Sequence, residues 1–238
     1  MDLYSPIFTR ASTRKFDLSL LPADTLSQLE DFISGLKPLL PDVKLKHKIV
    51  SGSEVKGMAL PKAPHYLLIF GKKHSLRNTA AGFLYQHAEL WLYAQGFATR
   101  WLAGVKPKEA DPDYIIGIAF GKPAVPTVRR PEEFKRKPLE EIARGVDSRL
   151  EAARLAPSGM NGQPWYFIVD GSRVYTYCRT GSGSLFGKMY GFTDLDVGIA
   201  LCHLAVAGEH EGKEFRFAVM KEGAPVPPSG YTYVGTVE

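Results

Sequence analysis

The feature that most limits what this chain can fold into is an internal echo. Gly82 and Gly198 lie 116 positions apart (198 − 82), and the same offset pairs His87 with His203, Gly96 with Gly212 and Arg100 with Arg216. An offset of 117 pairs Tyr114 with Tyr231. Around the first member of each pair, Gly82, Tyr85, Ala88, Glu89, Leu92 and Tyr93 follow a helical period. That spacing predicts a long helix over residues 78–95, stopped by Gly96, with a counterpart over residues 194–212. A glycine inside such a helix lets another backbone approach closely. Self-similarity at a fixed offset restricts the architecture to copies of one supersecondary unit. Each copy reads helix, strand, strand, long helix, strand, strand. The order predicts an α+β fold of antiparallel sheets flanked by helices, with the two long helices packed centrally.

The remaining elements follow from local pattern. Residues 1–7 form a lead-in or short helix. Pro22-Ala23-Asp24-Thr25 opens a helix in which Leu26, Leu29, Phe32, Ile33 and Leu36 keep helical spacing, with Gly35 and Pro38 near its end. Residues 43–50 alternate as a strand, and residues 66–70, 98–104 and 114–120 read as further strands. Residues 51–62 form a loop placed near any ligand. In the second half, residues 151–156 are good helix formers with Arg154 directed outward, and Pro157 stops them. Ser158-Gly159 and Asn161-Gly162 turn tightly and leave backbone N–H groups and small polar side chains available. Gln163-Pro164 then leads into an aromatic and β-branched strand from Trp165. Such a rim suits a planar polar ligand, or is an ordinary helix-to-strand connection.

Near the N-terminus, Arg10, Ser12 and Arg14 alternate, so an extended segment would put all three on one side. Two guanidinium forks and a hydroxyl suit an anionic oxygen, although a solvated basic turn has the same composition. The formal charge of +5 is spread along the chain, which argues against a nucleic-acid surface and is compatible with a small anionic ligand. Cys178 and Cys202 are too few and too isolated for a disulfide framework or a zinc site. With no signal-peptide pattern and no membrane-length apolar run, the reading is a soluble, cytoplasmic protein. The histidines have no HExxH or CxxC company, and His87 and His203 read as core or interface residues. Ser158 lacks a nucleophile elbow and an ordered His or Asp partner. Gly181-Ser182-Gly183-Ser184-Leu185-Phe186-Gly187-Lys188 fails both the phosphate-loop and the dinucleotide patterns, and reads as a flexible loop over the ligand.

Several of these stretches resemble one family. Ala152-Ala153-Arg154-Leu155-Ala156-Pro157-Ser158-Gly159-Met160-Asn161-Gly162-Gln163-Pro164-Trp165 resembles the helix–loop–strand signature of the FMN-dependent nitroreductases. Arg10-x-Ser12-x-Arg14-x-Phe16 is similar to that family's opening motif, Ala63-Pro64 to the start of one of its strands, and Trp101-Leu102-Ala103-Gly104 to its W-I-G-G strand end. Ala119-x-Gly121-x-Pro123 resembles its closing strand, and Arg136-x-Pro138-Leu139-Glu140-Glu141 its ending.

The resemblance implies FMN as cofactor and hydride transfer from NADH or NADPH, through the flavin, to an acceptor such as a nitroaromatic or quinone. Arg10, Ala11, Ser12, Arg14 and Arg136 would contact the phosphate and ring, and the main chain at Ala103-Gly104 would face the flavin's reactive edge. In family members the Pro-Ser…Asn loop sits close to the N-terminus and comes from the second subunit of a dimer. Here it begins beyond residue 150. The expectation is therefore two tandem repeats, residues 1–141 and 142–238, forming one intertwined unit that imitates the family homodimer. Pro157, Ser158, Gly159, Asn161 and Gln163 would then act from the partner side, where the segment from Arg144 to Arg149 reads as a helix start. One complete FMN site and one degenerate site per chain, a monomer in solution and no catalytic side chain follow. A flavin-binding protein without turnover is the alternative, and a ligand-free relic a third reading.

Overall fold

The computed structural model describes residues 1–58, 60–126, 128–179 and 192–238. It separates into two units: Met1–Arg77 with Leu84–Pro131, and Asn78–Phe83 with Glu132–Glu238. The division falls before Glu132, earlier than the motifs suggested, because the segment around Arg136 is hydrogen-bonded to the loop after residue 155.

The first unit contains helices α1 (Tyr4–Thr9) and α2 (Ala23–Ser34), strands β1 (Leu45–Ser51), β2 (Val55–Lys56) and β3 (His65–Gly71), and most of helix α3 (Arg77–Ala94). Strands β4 (Ala98–Leu102), β5 (Lys106–Pro107) and β6 (Tyr114–Gly121) complete it. Its main sheet is antiparallel, in the order β1-β3-β6-β4. The centre of that sheet is set by composition: β3 is HYLLIFG and buried at every position, as a strand covered on both faces must be. By contrast β1 alternates lysine and apolar residues, as an edge strand does. On one face Tyr66, Leu68, Phe70, Ala98, Leu102 and Ala119 form a core with Phe16 and Val105. Phe32 of α2 stacks on Trp91 of α3, with ring centroids 5.7 Å apart. The short pair β2–β5 ties the loop after β1 to the segment after β4.

The second unit contains α4 (Leu139–Ile142), β7 (Ala143–Arg144), α5 (Leu150–Arg154), β8 (Trp165–Asp170), β9 (Arg173–Arg179), α6 (Thr193–His210), β10 (Phe217–Ala218) and β11 (Tyr231–Val237). Its sheet runs β10-β11-β9-β8-β7. All pairs are antiparallel except β7–β8, which is parallel and departs from the all-antiparallel expectation. Ala143-Arg144 thus extends the sheet where a helix start was expected, and the helix begins only at Leu150. Helix α6 is buried continuously from Leu195 to Gly208, which fits its apolar composition all round. Gly96 and Gly212, the expected helix stops, have φ of +81° and +71°.

The two sheets share one topology. Reading β8, β9, β11 and β10 for β1, β3, β6 and β4 gives the same strand order, with β7 added at one edge. Helices α3 and α6 have 18 residues each and start 116 positions apart (193 − 77). Among the described residues, no helix is long and apolar enough to cross a membrane.

Candidate functional site

The N-terminal motif is held by isolated bridges, not by a regular strand: Arg10 to Val128, Ser12 to Thr99, Phe16 to Pro123. Without a continuous ladder the strict alternation is lost. Ala11, Thr13 and Phe16 are buried, while Ser12, Arg14 and Lys15 are exposed. Arg10 does not join Ser12 and Arg14. It is 2% exposed, and its Nε donates to both carboxylate oxygens of Glu89, at 2.9 and 3.0 Å. Glu89 also accepts from Thr99 Oγ1 at 2.6 Å and from Gln86 Nε2 at 2.8 Å, and Gln86 Oε1 accepts from Trp101 Nε1 at 3.0 Å. A carboxylate buried on an α3 face needs a cation and several donors, and Arg10 supplies the cation. Glu89 was legible only as one acidic residue inside an otherwise apolar helical period.

Arg14 and Arg100 are in a different state. Neither side chain has a hydrogen-bond or ion-pair partner among the described residues, and burial, then the nearby Arg14, lowers the Arg100 guanidinium from its ordinary range. At the end of β4, Ala103 is half-buried and Gly104 exposed. A Cβ on Gly104 would meet nothing within 4 Å among the described residues, so none of them demands a small residue there. The carbonyl of Gly104 instead packs on Gly57, where a Cβ would come within 2.3 Å of it. Gly57 lies in the loop over residues 51–62. That loop lines a cavity of about 520 Å³ together with Leu18, Leu20 and Tyr66.

In the second unit the loop after α5 is cross-braced. Met160, Asn161 and Gln163 all have positive φ, at 52°, 57° and 47°. Left-handed conformations at non-glycine residues cost roughly 1–3 kcal/mol each and persist only where the surroundings impose them. Here the surroundings are visible. The Gly159 N–H donates to both oxygens of Asp196 at 3.1 Å, and the Gln163 N–H to Ser158 Oγ at 3.0 Å. Gln163, 3% exposed, accepts from the Lys137 N–H at 2.7 Å and donates to the Asn161 carbonyl at 3.1 Å. Asn161 Nδ2 donates to the Lys135 carbonyl at 2.6 Å, and its Oδ1 accepts from Arg136 Nη1 at 2.5 Å.

Arg136 also caps the end of α5, with Nε on the Ala156 carbonyl at 3.0 Å and Nη2 on the Leu155 carbonyl at 3.3 Å. The sequence reading gave Arg136, Asn161 and Gln163 to a ligand. The structure binds these polar atoms to one another, because a helix end followed by a tight loop leaves carbonyls that need donors. Asp196 was missed. It is 6% exposed, and burial pushes its carboxyl up to about 7 against the opposing pull of the Gly159 N–H. Its only sequence signal is an acid in the first turn of an apolar helix.

Other expectations fall on the core. His203 is fully buried, with Nδ1 2.9 Å from the Ala152 carbonyl. Among the described residues, no cluster of potential metal ligands forms. The Gly181–Lys188 motif lies outside the described residues.

A family model described as "Putative TM nitroreductase" matches residues 2–208. The chain belongs to this nitroreductase family. Its fold is nitroreductase-like. A putative nitroreductase from Thermotoga maritima MSB8 matches with a TM-score of 0.67 and 24% identity, covering 100% of this chain and 92% of that one. A nitroreductase family protein from Clostridium difficile 630 gives a TM-score of 0.46 at 17% identity, over 59% of this chain and 95% of that one. A putative nitroreductase from Desulfovibrio desulfuricans, solved in complex with FMN, gives 0.40 at 15% identity, over 58% and 98%. No match is found among curated proteins. In this nitroreductase-family chain, the motif residues that stay accessible are Ser12, Arg14, Ala103 and Gly104 in the first unit. In the second they are Arg136, Pro157, Ser158, Gly159 and Asn161.

Proposed function

We propose that this chain is an FMN-dependent oxidoreductase that takes hydride from NADH or NADPH and passes it to an acceptor such as a nitroaromatic or quinone. Family membership supports the reaction class. The observation that carries the cofactor reading is the strained loop over residues 158–163, braced at Gly159, Asn161 and Gln163. Such strain is maintained where a rigid binding surface is needed. Two further features among the described residues fit the group: the open space at Gly104, and the charge of Arg14, which has no acid partner there.

Bound there, FMN would supply the hydride chemistry, and the protein supplies position and electrostatics. Arg14 and Ser12 would hold anionic oxygens. Ala103 and Gly104 would present main chain with no side chain in the way. Pro157, Ser158 and Gly159 would contribute a preformed rim. Arg136, Asn161 and Gln163 would act by holding that rim, Arg10 by seating the N-terminal segment through Glu89, and Ala11 by its burial in that segment.

The tandem reading is part of the proposal. It is supported by the common sheet order, by the 116-residue offset, and by a reciprocal contact in the second unit. There residue 82 packs on the carbonyl of 195, and residue 198 on the carbonyl of 79. Exchanging each residue for its counterpart at the 116 offset turns one contact into the other, which is the pattern of a two-fold interface. One FMN per chain and a monomer in sedimentation are expected. The test is the visible spectrum of protein purified with FMN present, followed by stopped-flow reduction with NADH and NADPH. Bleaching by either nucleotide and recovery on adding a quinone are expected. Protein that binds no flavin would end the reading, and flavin that neither nucleotide reduces would leave binding without turnover.

A further inference from the structure

We infer that Arg100 joins Arg14 in a phosphate-binding clamp on the first unit, a role that rests on the nucleotide-dependent function proposed above. The N-terminal segment docks beside β4 through the Thr13 N–H to Thr99 carbonyl bond, at 3.2 Å, and the parallel Ser12–Thr99 bridge. Residues 12–14 therefore run alongside 99–101 in the same direction. Strand β4 is an edge of its sheet, so Arg100 is half-buried, not enclosed. The charge balance here is uneven. Glu89 is the buried acid of this region, and it is already committed to Arg10, Thr99 and Gln86. Asp17, on the same segment, accepts from the Ser19 N–H and faces Lys122. Two guanidinium groups are left, with Arg14 close enough to Arg100 to disfavour its charge and neither with an acid among the described residues. Ten N–H donors with a net charge of about +2 suit a phosphate, whose oxygens accept bidentate forks.

The second unit supplies an internal control. The position 116 residues beyond Arg100 is Arg216, and it carries its own counter-ion: Nη2 lies 2.8 Å from Glu214 Oε2. The residue matching Glu214 in the first unit is Ala98, which is buried and uncharged. The arginine at the 116 offset, which precedes β10 and lies outside it, is thus paired with an acid, whereas Arg100 within β4 has none among the described residues. An anion from outside the chain fills that role at Arg100.

A phosphate could belong to FMN or to the nicotinamide dinucleotide, and one set of variants separates them. Dissociation constants for FMN and riboflavin, which lacks only the phosphate, are measured for the wild type, Arg100→Ala, Arg100→Gln and Arg216→Ala. Both Arg100 variants are expected to weaken FMN about tenfold or more, as loss of a charge-assisted contact does. Riboflavin should stay within twofold, which also reports that the site is folded, and Arg216→Ala should change neither ligand. Unchanged FMN binding with a raised KM for NADH or NADPH would support the clamp and give the phosphate to the dinucleotide. Equal weakening of FMN and riboflavin, or no change in any constant, would overturn it. If the wild type binds no flavin, the functional reading fails by itself. Titration with inorganic pyrophosphate then decides the clamp: binding lost in Arg100→Ala supports it, and no binding by the wild type overturns it.

Discussion

Replacing Gly82 and Gly198 by alanine tests the closest backbone approach in the second unit. A Cβ on Gly82 would lie 2.1 Å from the Leu195 carbonyl oxygen, and one on Gly198 would lie 2.0 Å from that of Thr79. Real contacts of this type do not go below 3.0 Å, so each is short by about 1 Å. Neither can be relieved by a side-chain rotation, since the obstructing atoms are helical backbone. Overpacking a tight core costs about 1–3 kcal/mol, and an immovable neighbour puts these sites at the upper end. Alanine recovers about 1 kcal/mol of helix propensity. The net for each single variant is a loss of about 2 kcal/mol. Both clashes are relieved by the same movement of one helix from the other. The double variant should therefore lose about 3 kcal/mol and not the additive 4. Urea unfolding monitored by far-UV circular dichroism measures all three, with Gly104→Ala as a control expected to be neutral because its Cβ meets nothing. A neutral or stabilising Gly82→Ala would show that the helices do not approach this closely.

Three other outcomes are expected. The Asp196 carboxyl titrates near 7 in the folded state against an ordinary 3.8. Between those values the folded protein holds a proton that the unfolded chain has released. Stability is then lost as pH rises from about 4 to about 7, by at most about 4 kcal/mol. Asp196→Asn should therefore be increasingly more stable than the wild type as pH rises through that range in urea titrations, and parallel profiles would contradict this. Arg10→Ala leaves Glu89 buried without its cation and should cost about 3–5 kcal/mol in thermal or urea unfolding. An Arg10→Met, Glu89→Met double variant should recover most of that loss, whereas a stable single variant would place Arg10 outside the core network. Asn161→Ala removes two braces from the strained loop. Proteolytic cleavage near residue 160 should become faster, and an unchanged cleavage rate would mean the loop is held by other contacts.

Periodicity and punctuation made the element order readable. The helical spacing around Gly82, the stops at Gly96 and Gly212, and the polar loop ended by Gln163-Pro164 each depend on residues a few positions apart. The strands of the four-stranded sheet and β8 follow from the same local signals, and the 116-residue offset predicted the same order of elements in the second half. β7 escaped because a two-residue parallel strand has no period of its own.

The choice of polar partners belonged to the tertiary structure. Arg10 and Arg14 look equivalent in sequence, yet Arg10 meets a buried carboxylate 79 positions away and Arg14 meets none among the described residues. Arg136 read as a ligand contact because a terminal arginine resembles a phosphate binder, and only the path of the chain brings the carbonyls of α5 to it. Asp196 gave almost no signal, since its importance depends on the glycine N–H that folding places against it. A hydrophobic pattern is satisfied by any apolar neighbour and can be read locally. A buried charge must find one particular partner, and that partner is chosen by the packing of distant elements.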